Sequence, residues 1–135
     1  TYNANPASMR ASLGTLAEVA RLRGGRAIAV LGEMAELGAH AQAEHERIGR
    51  ATVELGLSDV FFCGPDMAHA ARAAQLEVRQ RRAKGPRVAH VADPLASLSE
   101  LTRLLDARAA VLVKGSRSSA MERITDVLCP GGGTP

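Results

Sequence analysis

Four short, largely apolar runs constrain the fold of this chain more than any other feature. Each run is separated from the next by a segment whose apolar residues recur every three or four positions, which is typical of an amphipathic helix. The runs lie at 27–31, 60–63, 88–91 and 110–113. Parallel strands covered by helices on both faces read as continuous apolar runs of this length. The pattern predicts an α/β fold: a Rossmann-like, doubly wound, mostly parallel sheet with flanking helices.

The helical segments complete the pattern. The first is predicted over 6–23, where Asn5 is placed to cap the helix and Gly24-Gly25 to end it. The fourth opens at Asp93-Pro94 and carries an apolar stripe that runs from Leu95 to Leu105. The other three are predicted over 40–56, 66–83 and 117–128. The order is one helix followed by four strand–helix units.

Length and composition indicate one globular domain. The chain has 135 residues, of which 46% are hydrophobic and 23% charged, so a disordered chain is excluded. We see neither a signal peptide nor a membrane-spanning run, and the far-separated Cys63 and Cys129 predict reduced thiols in a cytoplasmic protein. We interpret residues 1–129 as the domain and residues 130–135 as a flexible tail, and the absence of an initial methionine predicts a processed or excised chain.

Charge argues against nucleic acid as a partner. The net charge is only +3, and the aromatic residues are Tyr2, Phe61 and Phe62, which leaves few platforms for stacking bases. The basic run from Arg79 to Arg87 is typical of a solvated helix end, with a nucleic-acid patch as the alternative.

Candidate chemistry lies in the loops that follow the strands, because open parallel sheets bind ligands beyond their carboxyl ends. The loop after the first strand carries Glu33 and Glu36, and the loop after the fourth, 114–118, carries Lys114 and Arg117. Cations and backbone N–H groups converging there suit a carboxylate or phosphate, although a plain turn with solvated cations is an equal alternative. The Lys-Gly order is not that of a P-loop, so the chain has no triphosphate site of its own.

The remaining polar residues are ambiguous when taken alone. Glu33 and Glu36 suit a substrate ammonium or a metal, or they face water. His45 lies on the apolar stripe of its helix, where a hydrogen-bonded core or interface histidine is the favoured interpretation. His40, Glu44 and His45 lack a metal-ligand spacing, so we predict no metal site.

Three motifs together resemble the C-terminal domain of the Mur ligases. They are Tyr2-Asn3-Ala4-Asn5-Pro6-Ala7-Ser8-Met9, Leu31-Gly32-Glu33-Met34-Ala35-Glu36-Leu37-Gly38 and Leu112-Val113-Lys114-Gly115-Ser116-Arg117. His45-x-x-Ile48-Gly49 and Met121-Glu122 extend the resemblance, which runs from residue 2 to about 128. Within the family, the chain is most similar to the branch that joins D-Ala-D-Ala to UDP-N-acetylmuramoyl-tripeptide.

The resemblance implies a three-domain, ATP-dependent ligase of which this chain is the third domain. A central P-loop domain would hold ATP and Mg²⁺, and the tripeptide carboxylate would be activated as an acyl phosphate that the amine of D-Ala-D-Ala attacks. The fragment alone is then expected to be inactive, and we expect a cytoplasmic monomer without nucleic-acid or membrane partners.

The resemblance also implies roles for single residues. Lys114 is the implied catalytic residue. The implied adenosine contacts are Tyr2, Asn3, Asn5 and Pro6. The implied contacts to the dipeptide and the transferring phosphate are Glu33, Glu36, Lys114, Gly115, Ser116 and Arg117. No residue is implied as a metal ligand.

Two alternatives stay open at this point. A sister amide ligase of the same family would be expected to carry a histidine where Ala4 stands, in an H-x-P pattern. A free-standing nucleotide-binding interaction module would share the fold without the reaction.

Overall fold

The computed structural model of the chain describes residues 4–82 and 84–116. Short strands alternate with longer helices, as the apolar periodicity predicts. The helices are α1 (Pro6–Arg23), α2 (Ala41–Glu54), α3 (Met67–Arg81) and α4 (Leu98–Leu104). The strands are β1 (Ala27–Leu31), β2 (Asp59–Cys63), β3 (Arg87–Val91) and β4 (Ala110–Lys114). Two 3₁₀ turns, Gly38–His40 and Pro94–Ser97, precede α2 and α4.

The strands form one parallel sheet in the order β3-β2-β1-β4. Leu31 at the end of the central strand β1 lies opposite Phe62 of β2 and Lys114 of β4. The chain moves outward from β1 to β3 and then returns across the sheet to β4, on the other side of β1. The predicted doubly wound α/β fold is therefore confirmed, and the strand order reverses between β1 and β4.

Helices cover both faces of the sheet, but unequally. Leu13 of α1, Ile48 of α2 and Met67 of α3 belong to one core cluster, which lies on the sheet face that carries Leu31 and Phe62. The second cluster joins α4 to the opposite face through Leu101, Leu104, Ile28, Val30 and Phe61. The connections from β1 to β2 and from β2 to β3 place α2 and α3 on one face. The connection from β3 to β4 runs the opposite way across the sheet, so a crossover of the same right-handed sense places α4 on the other face.

The ends of α1 follow from its sequence. The side chain of Asn5 accepts a hydrogen bond from the Ser8 N–H, and the Ser8 hydroxyl accepts one from the Asn5 N–H, which completes a capping box. Gly24 ends the helix in the left-handed region, with φ of 66°, which a glycine adopts without steric cost. Both predicted ends of this helix are confirmed.

The fourth helical segment is shorter than predicted. It begins as a 3₁₀ turn, in which the Asp93 carboxylate accepts a hydrogen bond from the Leu95 N–H, and α4 ends at Leu104. Leu105 is extended and 38% exposed, so it does not belong to the buried stripe. The Asp106 carboxylate accepts from the N–H groups of Arg108 and Ala109, which turns the chain toward β4.

Two residues of the basic run make ion pairs, since Arg81 donates to Glu77 at 2.6 Å and Arg87 binds acidic residues of the sheet and of α4. Arg87 donates to the buried Asp59 at 2.9 Å and lies 3.8 Å from Glu100. The hydrogen bond and the charge of Asp59 raise the pKa of the Arg87 guanidinium above its usual value. Arg79, Arg82 and Lys84 are exposed, in agreement with a solvated helix end.

Among the described residues, none of the helices combines the length and the apolarity that crossing a bilayer requires. The predicted helix over 117–128, the tail 130–135 and Cys129 lie outside the described residues.

Candidate functional site

The carboxyl ends of β1 and β4 meet where the strand order reverses, which is the expected ligand-binding position of an open parallel sheet. The hydrogen-bond ladder between these strands continues into the loops. The Gly32 N–H donates to the Lys114 carbonyl at 2.8 Å, and the Ser116 N–H donates to the Glu33 carbonyl at 2.9 Å. The loop after β4 is thereby held to the loop after β1.

Lys114 is half-buried at this edge. Residues of a strand alternate between faces, so Lys114 shares a face with Ala110 and Leu112, which pack in the α1 cluster. Its ammonium makes no ion pair or hydrogen bond with any residue in 4–82 or 84–116. Lys114 therefore lies on the α1 side of the sheet without a partner among the described residues.

The N-terminus of α1 lies at the same edge. The helix packs on β1 and β4, and only three residues separate its end from the start of β1, so it runs antiparallel to that strand. Ala4 and Met34, of the loop after β1, are buried in one cluster, which agrees with this placement. Asn5 is exposed and Pro6 half-buried, and the Asn5 carbonyl-type oxygen Oδ1 already accepts from Ser8.

Glu33 binds within the domain. Its Oε2 accepts a hydrogen bond of 2.6 Å from the Asp66 N–H at the start of α3. Asp66 is the N-cap residue of that helix, and its own side chain makes no capping hydrogen bond. The Glu33 carboxylate therefore satisfies the N–H of the N-cap residue and lies near the positive end of the helix dipole.

Glu36 differs from Glu33 in both exposure and backbone. It is exposed, and its φ of 62° lies in the left-handed region, which costs a residue with a Cβ about 1 kcal/mol. The strain lies within the loop that follows β1, next to the candidate site. Such strain is concentrated at functional sites.

His45 of α2 binds the loop after β1 through a hydrogen bond. The side chain is 0% exposed, and its Nε2 accepts a hydrogen bond of 3.0 Å from the Met34 N–H. Its Nδ1 lies 2.7 Å from the Ala41 carbonyl, which only accepts, so Nδ1 carries the proton. The prediction of a hydrogen-bonded core histidine is confirmed, and the bond fixes the loop.

Sequence reasoning missed a contact that ties the end of β3 to the turn after β2. His90 at the end of β3 lies with its Nε2 2.7 Å from the Gly64 carbonyl, and Gly64 donates its N–H to the Val91 carbonyl at 2.9 Å. His90 carried no motif that would have indicated this role. The Gly-Pro-Asp sequence at 64–66 was the available signal, because it marks a turn at the end of β2.

The thiol at this edge is not a nucleophile. Cys63 ends β2, and burial, with a smaller contribution from the Asp93 carboxylate, raises the pKa of its thiol from 9.0 to about 12. The thiolate is the reactive form, so this cysteine is inert near neutral pH.

No group of three or more His, Cys, Asp or Glu side chains among the described residues is placed to hold a metal ion. The structure brings together Lys114, Gly115, Ser116 and Glu33, with Gly115 and Ser116 both buried. Tyr2, Asn3 and Arg117 lie outside the described residues.

Comparison with known proteins agrees with the three motifs. A family model described as Mur ligase, glutamate ligase domain, matches residues 1–117. The UDP-N-acetylmuramoyl-tripeptide–D-alanyl-D-alanine ligase of Mycobacterium leprae is 40% identical over 146 residues, covering 98% of this chain and 27% of that protein. The enzyme of that name from Escherichia coli K12 is 36% identical, covering 98% of this chain and 26% of that protein.

Solved structures show the same relation. MurF from Acinetobacter baumannii matches with a TM-score of 0.73 at 30% identity, over 95% of this chain and 26% of that one. MurF ligase from Thermotoga maritima, in complex with ADP, matches with a TM-score of 0.70 at 26% identity, over 92% and 25%. The chain thus spans about a quarter of the length of each protein that it matches.

Proposed function

The chain belongs to the Mur ligase family, and from that premise we propose that it is the C-terminal domain of a UDP-N-acetylmuramoyl-tripeptide–D-alanyl-D-alanine ligase. In the proposed reaction an oxygen of the tripeptide carboxylate first bonds to the γ-phosphorus of ATP, the bond from that phosphorus to the β–γ bridging oxygen breaks, and ADP leaves. The amine of D-Ala-D-Ala then attacks the acyl carbon. A C–N bond forms, the bond from the acyl carbon to the phosphate oxygen breaks, phosphate leaves and the nitrogen loses a proton.

One observation supports the role that we propose for this chain in the reaction. Lys114 stands at the strand-order reversal, on the face of the sheet that α1 covers, and no described residue neutralises its ammonium. A cation in this position suits the negative charge that builds on the phosphate and the acyl oxygen in the transition state. We assign Lys114 that role, with Arg117, three residues further along the sequence, as a second cation on sequence grounds.

The main chain beside Lys114 supports the same role. Ser116 is only 4% exposed, and its N–H is held by the Glu33 carbonyl, so the segment has a defined path. Gly115 is also buried, and it has no Cβ that would block the approach of a ligand group to the backbone. In the proposal, Gly115 and Ser116 border the dipeptide and the transferring phosphate.

Adenosine is proposed to lie against the segment that enters α1. Asn5 is exposed there, and its side-chain NH₂ is a donor that the capping hydrogen bond does not use. Pro6 offers an apolar ring beside it. Tyr2 and Asn3 complete the proposed contact from the sequence motif.

Of the two loop glutamates, Glu36 is the better candidate for the dipeptide ammonium. Its side chain is exposed, whereas the Glu33 carboxylate already accepts from the start of α3. An exposed carboxylate keeps its oxygens for an incoming cation.

The other components are proposed to come from the rest of the ligase. When bound, ATP and Mg²⁺ supply the phosphoryl group and neutralise its charge, and we place them in a central P-loop domain. UDP-N-acetylmuramoyl-tripeptide is assigned to the remaining domain. ATP and a UDP-linked precursor are cytoplasmic compounds, and we propose a cytoplasmic enzyme that acts as a monomer.

The test is a substitution in the full-length ligase. Lys114→Ala is expected to lower kcat by about 10²–10³-fold, because a charge-stabilising group is lost from the transition state. The chain has one other lysine, the exposed Lys84, so Lys84→Ala is the matched control and should retain the wild-type rate. Steady-state assays of phosphate release with D-Ala-D-Ala as acceptor give both values. Wild-type turnover by a folded Lys114→Ala enzyme would overturn this assignment.

A further inference from the structure

We infer that Glu33 is a positioning residue: its carboxylate, bound at the start of α3, fixes the loop after β1, and its carbonyl fixes the Lys114–Ser116 segment. The inference rests on the proposed function, since it concerns the placement of Lys114 in that reaction. It assigns Glu33 to the support of the site and leaves the dipeptide ammonium to another group.

The first step of the inference is the side-chain bond. The Glu33 carboxylate accepts a 2.6 Å hydrogen bond from the Asp66 N–H, and α3 is 15 residues long. A carboxylate at the N-terminus of a helix of this length is stabilised both by the N–H group and by the dipole. A substrate ammonium competing for this carboxylate would have to displace that bond.

The second step is the main-chain bond of the same residue. The Glu33 carbonyl accepts from the Ser116 N–H at 2.9 Å, and the neighbouring Gly32 N–H donates to the Lys114 carbonyl at 2.8 Å. Lys114 and Ser116 are thus attached to two consecutive residues of the loop after β1. A shift of Glu33 would move the base of the Lys114 side chain with it.

The third step is a space made for the Glu33 side chain. Gly64 lies against it, and a Cβ at Gly64 would come within 2.9 Å of Glu33 Cδ and 3.1 Å of Oε2. The φ of Gly64 is +105°, a conformation that side chains rarely adopt. The turn after β2 is therefore shaped around the bound carboxylate, which favours a permanent structural contact over an exchangeable ligand.

The experiment compares Glu33→Ala with Glu33→Gln in the full-length ligase. Glutamine keeps an oxygen that accepts from Asp66, whereas alanine loses it. We expect Glu33→Ala to lower kcat about tenfold or more, because small displacements of a catalytic group are costly, with the KM for D-Ala-D-Ala changed less than about threefold. Glu33→Gln should stay within about threefold of the wild type in both constants. Glu18→Ala, an exposed glutamate of α1, is the matched control for removal of a carboxylate.

Two further readouts separate positioning from a general loss of stability. Hydrogen exchange of the peptide that spans 111–116 should be faster in Glu33→Ala and unchanged in Glu33→Gln. Glu33→Ala combined with Lys114→Ala should be no slower than Lys114→Ala alone, since the first change acts through the second residue.

The inference is overturned by either of two results. One is a rise of about tenfold or more in the dipeptide KM for Glu33→Gln, which would make Glu33 an ammonium ligand. The other is wild-type exchange of 111–116 in Glu33→Ala. The exchange experiment does not depend on the reaction. Failure of the proposed function, seen as an unimpaired Lys114→Ala enzyme, is therefore distinguishable from failure of this inference.

Discussion

Cys63 shows how strongly a single site depends on its surroundings. It ends β2 between two packed layers, its Sγ lies 3.7 Å from the Phe61 carbonyl, and burial raises the pKa of the thiol to about 12. In the unfolded chain the thiol would ionise at its ordinary value. The two states therefore bind different numbers of protons at alkaline pH.

This difference predicts a loss of stability in base. Above about pH 9 the unfolded state releases the thiol proton that the folded state keeps, so the free energy of unfolding falls by up to about 1.4 kcal/mol per pH unit until the folded thiol ionises near pH 12. Cys63→Ala should lack this part of the loss. Denaturant unfolding of both proteins at about pH 7 and pH 10 measures it. An equal loss in the two proteins, or rapid alkylation of native Cys63 at about pH 9, would contradict the prediction.

The sequence indicates which residues form the candidate site better than it indicates their roles. The burial of His45 followed from its place on an apolar stripe, because helical periodicity is local. Its bond to the Met34 N–H did not follow, since it depends on how a loop folds back over a helix. The hydrogen bond of Glu33 could not be predicted for the same reason. Its partner Asp66 lies 33 residues away, and only the assembled sheet brings the two residues together.

Packing between α2 and α3 depends on close approach of their backbones. A Cβ built at Gly49 would lie 2.1 Å from the Ala70 carbonyl oxygen, which is a backbone atom and has little freedom to move. Thr52 and Ala70 are both buried, and the Thr52 hydroxyl donates to the Gly49 carbonyl. These two helices must therefore move apart to accept any side chain at position 49.

Gly49→Ala is expected to destabilise the domain by about 3 kcal/mol, because overpacking against backbone is not relieved by a rotamer change. Gly14, in the middle of α1, is the matched comparison, since a Cβ there meets no atom within 4 Å. Gly14→Ala should stabilise the domain by about 0.5–1 kcal/mol through its helix propensity and the lower entropy of the unfolded chain. Denaturant midpoints of the two variants test both signs, and stabilisation by Gly49→Ala would refute the close approach.

At the level of elements, apolar periodicity predicted the strands and the first three helices but not the end of α4. A 3₁₀ turn and an α-helix both align residues three apart, so the spacing of Leu95 and Leu98 fits either form. Leu104 and Leu105 are identical in type, and periodicity does not select which of them is buried. The turn at Asp106 decides this, through hydrogen bonds that carry no periodic signal.

As a whole, the chain is proposed to supply one side of an active site. Its candidate residues lie along a single edge of the sheet, and the phosphate-binding and UDP-binding functions are assigned to other domains. A domain of 135 residues with two core clusters is large enough to fold alone.

The isolated chain is accordingly expected to unfold cooperatively and to lack ATPase activity. Chemical denaturation followed by circular dichroism tests the first expectation, and release of phosphate from ATP with and without D-Ala-D-Ala tests the second. The full-length ligase, assayed at the same molar concentration with all substrates, is the positive control. ATP hydrolysis by the chain alone at a rate near that of the full enzyme would refute the division of labour between domains.

The bonds that join the loops after β1, β2 and β4 have a consequence for the energetics of turnover. They form when the domain folds, so the conformational entropy of these loops is lost once, at folding. A site assembled from mobile loops would lose that entropy again in every catalytic cycle. Closure of this domain on its neighbours would then bring a pre-organised surface to the active site. The conformational entropy lost on closure would be that of the segment between the domains.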